Sequence, residues 1–367
     1  MRAAVFWGPD RSLEIAEVDL DTPRAGEVRV QIAGAGVCRS DLHVRQGDWN
    51  RRVPVVMGHE GAGTVIEVGP GVQSLDVGDH VILSWQPACG RCRRCVAGRP
   101  QLCEFMASEV APKGVLYDGT SRLHLRGETV FHYSAVSSFA EQAVVPESGA
   151  IKVRPDVSLR AAALIGCCVT TGVGSVLWTA RVEAGATVVV VGCGAVGLSA
   201  LQGATIAGAS RIIAVDVLDE KLETAVLFGA TDTVNARGAE AVAAVQDLTL
   251  GGADYVFDCI GLPETVTEAI AMLGVGGCAV VVGLTALGAT ATFNPLTLGE
   301  SEQRIIGSNY GSCRPNTDFP YLAELYAKKR LKIDELITSQ RPLAQAQAAL
   351  DDLVAGRGIR TVLDPQL

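Results

Sequence analysis

The stretch Val188-Val-Val-Val191-Gly192-Cys-Gly194-Ala-Val-Gly197 joins an apolar run to three glycines spaced as G-x-G-x-x-G. The apolar run predicts a buried strand, and Leu198–Ala207 after the glycines has the pattern of a helix. In this context Gly192 permits a tight turn, Gly194 lets a ligand approach the backbone, and Gly197 lets helix and strand pack closely. The stretch therefore predicts the strand, turn and helix that open a dinucleotide-binding domain, with phosphates at the helix N-terminus.

A carboxylate follows where the adenosine ribose of a dinucleotide would lie. The next apolar strand, Arg211-Ile-Ile-Ala-Val-Asp216, ends in Asp216, which can accept hydrogen bonds from ribose hydroxyls. Because a carboxylate there repels a 2′-phosphate, the sequence favours NAD over NADP. Lys221, one helical turn later, can add a ribose contact without reversing that preference. The alternative, a glycine turn in a ligand-free α/β domain, is disfavoured by this context.

The alternation of strands and helices continues on both sides of this stretch from about residue 169 onward. Apolar strands separated by helical segments predict a buried parallel sheet, so we expect an α/β domain here. The first third has short β-type runs broken by Gly, Pro and Asp, which predict a β-rich, barrel-like domain. These runs are Arg2–Trp7, Glu27–Ile32, Gly63–Val68 and His80–Leu83. After about residue 310 the pattern predicts helices over Tyr321–Arg330 and Ala344–Val354 and a strand at Arg360–Leu363.

Composition excludes several other classes of protein. The 367 residues are 48 % hydrophobic and 19 % charged, typical of a compact chain long enough for two cores. A net charge of −9 disfavours nucleic acid as a partner, although four arginines lie among clustered cysteines (Arg91, Arg93, Arg94, Arg99). We find no signal peptide and no apolar run of membrane-spanning length, so we expect a cytoplasmic protein with no membrane partner and reduced thiols.

The stretch Cys89-Gly-Arg-Cys92-Arg-Arg-Cys95-Val-Ala-Gly-Arg-Pro-Gln-Leu-Cys103 places four thiols within fifteen residues. Four soft ligands can close a tetrahedral zinc shell with no open position for water, which indicates a structural site in a lobe at 86–104. An iron–sulfur cluster is the alternative, because C-x2-C-x2-C also begins the bacterial ferredoxin pattern. It is disfavoured because seven residues precede the fourth cysteine and Glu104, not proline, follows it.

A second candidate metal set is dispersed along the chain. Cys38, His59 and Cys167 would supply three ligands and leave a fourth position open, which is the pattern of catalytic zinc. Each residue alone is a weak signal, because a single buried histidine or cysteine usually serves packing. The residues by themselves therefore leave this set undecided.

With these motifs side by side, the chain resembles the zinc-dependent medium-chain alcohol dehydrogenase family, liver-type branch. The matching motifs, in order, are GVCRSDLH, GHEGAGTVIEVGPGV, GDHVIL, the four-cysteine lobe, LIGC, TTGVGS, GCGAVG and AVD. The resemblance implies an α/β fold with a β-rich GroES-like catalytic domain at 1–168, a doubly wound Rossmann domain at 169–309, and a return to the catalytic domain at 310–367. The extended segment Ala107–Tyr133 is typical of a branch whose members are homodimers.

The resemblance also assigns the metal ligands. It implies a catalytic zinc on Cys38, His59 and Cys167, a structural zinc on the four-cysteine lobe, and Glu60 as a carboxylate near the catalytic metal. Cys168 departs from the family pattern, which leaves two adjacent thiols as candidates for the third ligand. We prefer Cys167 because LIGC aligns without a gap.

Roles for further residues rest on the resemblance in the same way. Ser40 and His43 match a relay that carries the released proton to solvent, for which a histidine is suited. The residues that match cofactor contacts, besides the glycines, Asp216 and Lys221, are Arg39, Thr171, Val196 and Arg360. The residues that match the substrate pocket are Trp49, Trp85, Tyr133 and Leu284.

These assignments predict an NAD-dependent zinc enzyme with two zinc ions per chain that oxidises a primary aryl or medium-chain alcohol to its aldehyde. One alternative is a formaldehyde dehydrogenase of the same branch that acts on a thiol adduct. Another is an enzyme that keeps NAD permanently bound, and a third is a non-catalytic, zinc- and nucleotide-binding regulatory protein.

Overall fold

The computed structural model describes residues 1–9 and 11–367, and the chain forms two compact units. The first unit comprises Met1–Cys167 and Arg314–Leu367, and the second comprises Cys168–Cys313. The sequence placed the second boundary after residue 309, whereas the turn Tyr310–Ser312 belongs to the second unit. The reason is the left-handed Gly311, which packs so closely on Thr170 that a Cβ would lie 2.3 Å from the Thr170 carbonyl oxygen.

The N-terminal part of the first unit is mostly strands. Its helices are α1 (Arg39–Gln46), α2 (Arg93–Val96) and α3 (Leu159–Leu164). Its strands are β1 (Arg2–Phe6), β2 (Glu14–Glu17), β3 (Asp19–Leu20), β4 (Glu27–Gly36), β5 (Val55–Val56), β6 (Glu60–Val68), β7 (His80–Leu83), β8 (Leu123–Leu125), β9 (Glu128–His132), β10 (Gln142–Pro146) and β11 (Ala150–Lys152).

The second unit alternates strands and helices. After a π-helical turn at Ile165–Val169 come α4 (Thr170–Gly174), β12 (Thr187–Val191), α5 (Ala195–Ala207), β13 (Arg211–Asp216), α6 (Asp219–Leu227), β14 (Asp232–Asn235), α7 (Gly238–Thr249), β15 (Ala253–Asp258), α8 (Pro263–Ala271), β16 (Leu273–Val281), α9 (Pro295–Glu300) and β17 (Arg304–Gly307). The chain then returns to the first unit with α10 (Pro315–Ala327), β18 (Ile337–Pro342), α11 (Ala346–Val354) and β19 (Arg360–Asp364).

The first unit contains two mixed sheets, and its buried apolar residues form several clusters. One sheet has the strand order β2-β1-β5-β9-β8-β3, and the other has β11-β7-β6-β4-β19-β18, with β10 also paired to β4. Val28, Val30 and Ile32 alternate along β4 and are fully buried, as expected for a strand with one face toward the core. The register between β4 and β6 shifts between Arg29 and Val30 and again between Ile32 and Gly34, and such irregularities commonly bend a sheet.

The second unit is one fully parallel sheet in the order β14-β13-β12-β15-β16-β17. Counted from β12, this is the order 3-2-1-4-5-6 of a doubly wound fold, whose switch point lies between β12 and β15. The strand that carries the glycine motif is therefore central, and ligands of such sheets bind at the carboxyl end of this strand. The predicted α/β fold is confirmed.

The helical stretch Leu159–Ala180 corrects one expectation. Its 22 residues have an apolar window with a mean hydropathy of 1.7, enough by length and composition to cross a membrane, although the sequence analysis found no such run. Residues such as Gly166 and Thr170 interrupt the apolar side chains, so the sequence has no continuous apolar run here although the average hydropathy is high. However, 83 % of the window is buried inside the protein, as in the core helix of a folded domain. The cytoplasmic location stays a prediction.

Candidate active site and cofactor loop

The four-cysteine lobe brings its thiols together. The Sγ atoms of Cys89, Cys92, Cys95 and Cys103 all lie within 4.8 Å of one another. Backbone N–H groups bond to these sulfurs, as from Cys92 to Cys89 at 3.3 Å and from Cys95 to Cys92 at 3.4 Å. The Cys95 N–H lowers the pKa of the Cys92 thiol to about 6. Burial raises the pKa of the Cys95 and Cys103 thiols, which a bound cation would reverse. Four sulfurs this close together fit a closed zinc shell.

The dispersed set is also assembled, within the first unit. Cys38 precedes α1, His59 precedes β6, and Cys167 lies in the π-helical turn, yet their ligand atoms lie within 4.8 Å of one another. Their exposed fractions are 6 %, 3 % and 8 %. The thiol of Cys167 donates to Cys38 and thereby lowers the pKa of Cys38 well below its ordinary value. Two buried thiols and one buried imidazole fit zinc with one coordination position left open.

Asp41 orients the imidazole of His59. One oxygen of this fully buried carboxylate lies 3.0 Å from His59 Nδ1, and the other accepts the Cys38 N–H at 2.9 Å. Burial lowers the pKa of His59, but Asp41 more than offsets this, so the pKa is raised well above its ordinary value. The other ring nitrogen, Nε2, is buried and has no hydrogen-bond partner among the described residues. An orphaned buried nitrogen between two thiols is what a metal ligand requires.

Glu60 and Arg360 lie next to this set as a buried pair. Their exposed fractions are 0 % and 5 %, and Arg360 Nη2 is 3.6 Å from Glu60 Oε2. Arg360 Nη1 also donates to the carbonyl of Val37 at 2.7 Å. The guanidinium thus balances the buried carboxylate. The phosphate contact that the resemblance assigns to Arg360 stays a prediction.

The predicted relay residues lie on α1. Ser40 and His43 are half-buried, and Arg39, at the first position of the helix, is exposed. His43 Nδ1 lies 2.8 Å from Asp48 Oδ2, and its ring stacks on Trp49 with centroids 4.7 Å apart. Sequence reasoning missed Asp48, because the turn after α1 that brings it back to His43 has no sequence motif.

Three of the four predicted pocket residues belong to the first unit. Tyr133 is 2 % exposed, its ring meets the His59 ring edge-on at 5.4 Å, and its hydroxyl donates to the Ser40 carbonyl at 3.3 Å. Trp49 and Trp85 are half-buried against the core that contains Tyr133. Leu284 belongs to the second unit, where it is 54 % exposed. Of these residues, Tyr133 is the one whose ring is shown against a candidate metal ligand.

The glycine motif joins β12 to α5 as predicted. Gly192 is left-handed at φ 93°, and a Cβ on Gly197 would lie 1.8 Å from the Gly192 carbonyl oxygen, so both positions need glycine. A Cβ on Gly194 would meet no atom within 4 Å, so the loop is open where a pyrophosphate would approach. The other predicted cofactor residues of the second unit, Thr171, Val196 and Lys221, are half-buried.

Asp216 ends β13 beside this motif. One carboxylate oxygen accepts the Cys193 N–H at 2.8 Å, and the other accepts those of Val217 and Leu218 at 2.8 and 3.2 Å. The carboxylate thus holds the turn of the glycine motif and is 8 % exposed. Its remaining lone pairs are available to ribose hydroxyls.

Two thiol-rich metal sets in one unit and a dinucleotide-binding sheet in the other define a zinc- and NAD-dependent oxidoreductase. Comparisons with known proteins agree. Residues 24–155 match the family "Alcohol dehydrogenase GroES-like domain" and residues 195–328 match "Zinc-binding dehydrogenase". The chain belongs to the zinc-dependent medium-chain alcohol dehydrogenase family, and the non-catalytic alternative is thereby set aside. The predicted cofactors, zinc and NAD, are confirmed.

Similar proteins cover the whole length. S-(hydroxymethyl)glutathione dehydrogenase of Paracoccus denitrificans is 39 % identical, covering 99 % of this chain and 99 % of that protein. Alcohol dehydrogenase class-3 of Drosophila melanogaster is 39 % identical over 99 % and 97 %. The crystal structure of benzyl alcohol dehydrogenase from Acinetobacter calcoaceticus superimposes with a TM-score of 0.94 at 33 % identity, over 99 % and 98 % of the two chains.

Proposed function

We propose that the chain oxidises primary aryl or medium-chain alcohols to aldehydes with NAD, and that Cys38, His59 and Cys167 hold the catalytic zinc. The observation that carries the proposal is the buried ligand set, in which His59 Nε2 has no hydrogen-bond partner in the described part of the chain. Three protein ligands leave one position for substrate. The four-cysteine lobe offers no such position and is assigned the structural zinc.

The surrounding residues prepare this site for the chemistry. When bound, zinc supplies a Lewis acid that lowers the pKa of an alcohol hydroxyl, and NAD supplies the hydride acceptor. Asp41 accepts the Nδ1–H of His59, so Nε2 is the ring nitrogen that gives up its proton to ligate a metal. The Glu60 carboxylate lies beside the ligand set, and its pairing with the Arg360 guanidinium means that the two together add no net charge to the site. Burial of the whole set excludes water from the reacting atoms.

The proton released from the alcohol leaves through α1. Ser40 accepts it from the substrate oxygen and His43 passes it toward solvent, as the family resemblance implies. Asp48 accepts the Nδ1–H of His43, so Nε2 is the nitrogen that exchanges the proton, and stacking on Trp49 fixes the ring plane. Asp48 is therefore a positioning residue for the relay.

The aryl assignment has its own support. The Tyr133 ring contacts the ligand His59 and the Trp49 ring stacks on the relay residue His43, and aromatic walls favour flat, apolar substrates. The similarity to a benzyl alcohol dehydrogenase points the same way.

A screen of benzyl, aliphatic primary and secondary alcohols with NAD tests the assignment. The enzyme is dialysed first, and NADH formation is followed. Dialysis also shows whether NAD must be added or stays bound. If no alcohol is turned over, the proposed oxidation of alcohols is excluded.

A second candidate is oxidation of the thiol adduct S-(hydroxymethyl)glutathione, which the names of several relatives favour. Formaldehyde turnover with and without glutathione decides between the two. Strict thiol dependence, together with weak turnover of benzyl alcohol, would replace the aryl assignment by this one. Thiol-independent oxidation of benzyl alcohol would support the first.

We further propose a homodimer formed through the second unit. β17 is an edge strand of the parallel sheet, so one row of its backbone polar groups pairs with no other strand among the described residues. The segment before it exposes several large apolar side chains: Leu284, Leu287, Phe293 and Leu296. An apolar stretch beside a free strand edge suits pairing with a second copy. Light scattering should give twice the chain mass of 38.3 kDa, and a monomer mass would contradict the proposal.

A further inference from the structure

The loop between α1 and β5 carries two consecutive arginines that differ in their surroundings. Arg52 is exposed, and its guanidinium lies over the Phe131 ring, 4.4 Å from the centroid. Arg51 is half-buried, and its guanidinium lies 5.7 Å from the centroid of Tyr133. Because the Tyr133 ring also meets His59, Arg51 is one aromatic ring away from the candidate metal ligands.

Arg51 lacks the acidic partner that other arginines of the first unit have. Arg45 pairs with Asp351, Arg160 with Asp364, and the buried Arg122 with Glu27. Arg51 forms no ion pair with any residue in 1–9 or 11–367. Its Nη1 donates to the Asn50 carbonyl at 3.0 Å, and its Nε is buried without a hydrogen-bond partner among those residues.

The nearest acid on the same loop does not fill this role. The carboxylate of Asp48 is hydrogen-bonded to His43, which leaves the loop with an uncompensated positive charge. The Nε–H of Arg51 has lost its hydration without gaining an acceptor, which is unfavourable in the free protein, while the rest of this half-buried guanidinium stays open to a ligand. The planar donors of Arg51 suit a carboxylate, which they can bind in a bidentate manner. The flat face of the guanidinium meanwhile stays over the Tyr133 ring.

We propose that Arg51 binds a carboxylate at the far end of the substrate, so the preferred substrates are aryl alcohols that carry an anionic group opposite the hydroxymethyl group. This inference rests on the proposed function and deepens it. The hydroxyl is held at the zinc ligands, the aromatic ring lies along Tyr133, and Arg51 discriminates between anionic and neutral ends. Arg51 is thus a specificity-determining residue and takes no part in the hydride or proton transfer.

The test compares 4-(hydroxymethyl)benzoate with its neutral isostere 4-(hydroxymethyl)benzamide and with benzyl alcohol. For the unaltered enzyme we expect kcat/KM to favour the benzoate over the benzamide by roughly ten- to a hundredfold, the range of a charge-assisted hydrogen bond. In Arg51→Gln this ratio should fall to about one, mainly through KM for the benzoate. Arg52→Gln is the matched control, and its ratio should stay as in the unaltered enzyme.

Other outcomes overturn the inference. A ratio near one in the unaltered enzyme, or a ratio that Arg51→Gln leaves unchanged, excludes a carboxylate site. If Arg51→Gln raises KM for NAD equally with every alcohol, Arg51 contacts the cofactor and not the substrate. Formaldehyde with glutathione is included as a substrate because the adduct that they form, S-(hydroxymethyl)glutathione, also carries carboxylates. If Arg51→Gln loses oxidation of this adduct but keeps its preference among the aryl alcohols, the aryl assignment is overturned. If benzyl alcohol itself is not oxidised, the proposed function fails first and the inference fails with it.

Discussion

The two thiol clusters of the first unit differ in how they are built. The four-cysteine lobe takes every ligand from fifteen consecutive residues, and three of its four thiols are partly exposed. The other set gathers Cys38, His59 and Cys167 from distant positions, and all three are buried. Local N–H groups support the first set, whereas buried carboxylates support the second. Ligand number and solvent exclusion thus distinguish a cluster that stabilises structure from one that can bind substrate.

The largest effect should come from breaking the buried set. Cys38→Ser should lower alcohol oxidation at least about a thousandfold, because the Lewis acid contributes several kcal/mol and each 1.4 kcal/mol is tenfold. Zinc content should fall from about two ions per chain to about one. Cys278→Ser is a matched control, since Cys278 is a buried thiol of β16 outside both clusters. Full turnover in Cys38→Ser would disprove the ligand assignment.

The same change in the lobe should affect stability instead. Cys103→Ser should also remove about one zinc ion, but kcat of the folded enzyme should stay within about twofold. The midpoint of thermal unfolding should fall by roughly 5–10 °C, because a structural metal contributes its binding free energy to folding. Metal analysis, calorimetry and turnover on one preparation provide the measurement. A large loss of kcat at unchanged stability would place the chemistry in the lobe.

A smaller effect is expected from Asp48→Asn. Loss of the carboxylate removes the acceptor that fixes the tautomer and the ring orientation of His43, so kcat should fall roughly tenfold. The pH profile of kcat should change shape, while zinc content and thermal stability stay unchanged. Asp351→Asn, whose carboxylate pairs with Arg45 near the end of the same helix, is the control. Superimposable pH profiles would show that Asp48 has no role in the relay.

The smallest effect concerns the segment Ala107–Tyr133, which belongs to neither cluster. Burial opposes ionisation of Asp118, but the bond from Arg122 prevails and lowers the pKa of Asp118 from 3.8 to about 2. Its contribution to stability is therefore complete above about pH 4 and is lost as pH falls toward 2. Because Asp118 is 37 % exposed, Asp118→Asn should cost less than about 1 kcal/mol at pH 7.

Urea unfolding of both proteins at several pH values measures this difference. It should shrink below about pH 4, where the unfolded chain takes up the proton. Zinc content and kcat at pH 7 should not change. A difference that grows on acidification would mean that Asp118 is not stabilised as an anion.

Local patterns predicted much of the fold. The glycine motif, the strand His80–Leu83 and the four-cysteine lobe follow from short-range rules and occur as expected. The helix expected over Tyr321–Arg330 begins instead at Pro315, where Asp318 accepts the Arg314 N–H at 2.6 Å. This helix continues through Pro320 and ends at Ala327. The capping carboxylate and the proline at the first position explain the earlier start.

Long-range partners were outside the reach of the sequence. Asp41 stands three residues after Cys38, which is the spacing of a helix cap, but its bond to His59 exists only because the fold brings His59 next to α1. The pairing of Glu60 with Arg360 joins residues 300 positions apart. The isolation of Arg51 depends on which acids the fold brings near it. Such features arise from the tertiary fold and have no short-range pattern.

The three backbone bonds to Asp216 have a consequence for engineering of the cofactor preference. The carboxylate that repels a 2′-phosphate also fixes the turn after β12 through the Cys193 N–H. Replacing it by a small neutral residue to admit NADP would therefore loosen the loop that must hold the pyrophosphate of either dinucleotide. A successful switch needs a second acceptor for that N–H, so coenzyme choice and loop rigidity change together in this protein.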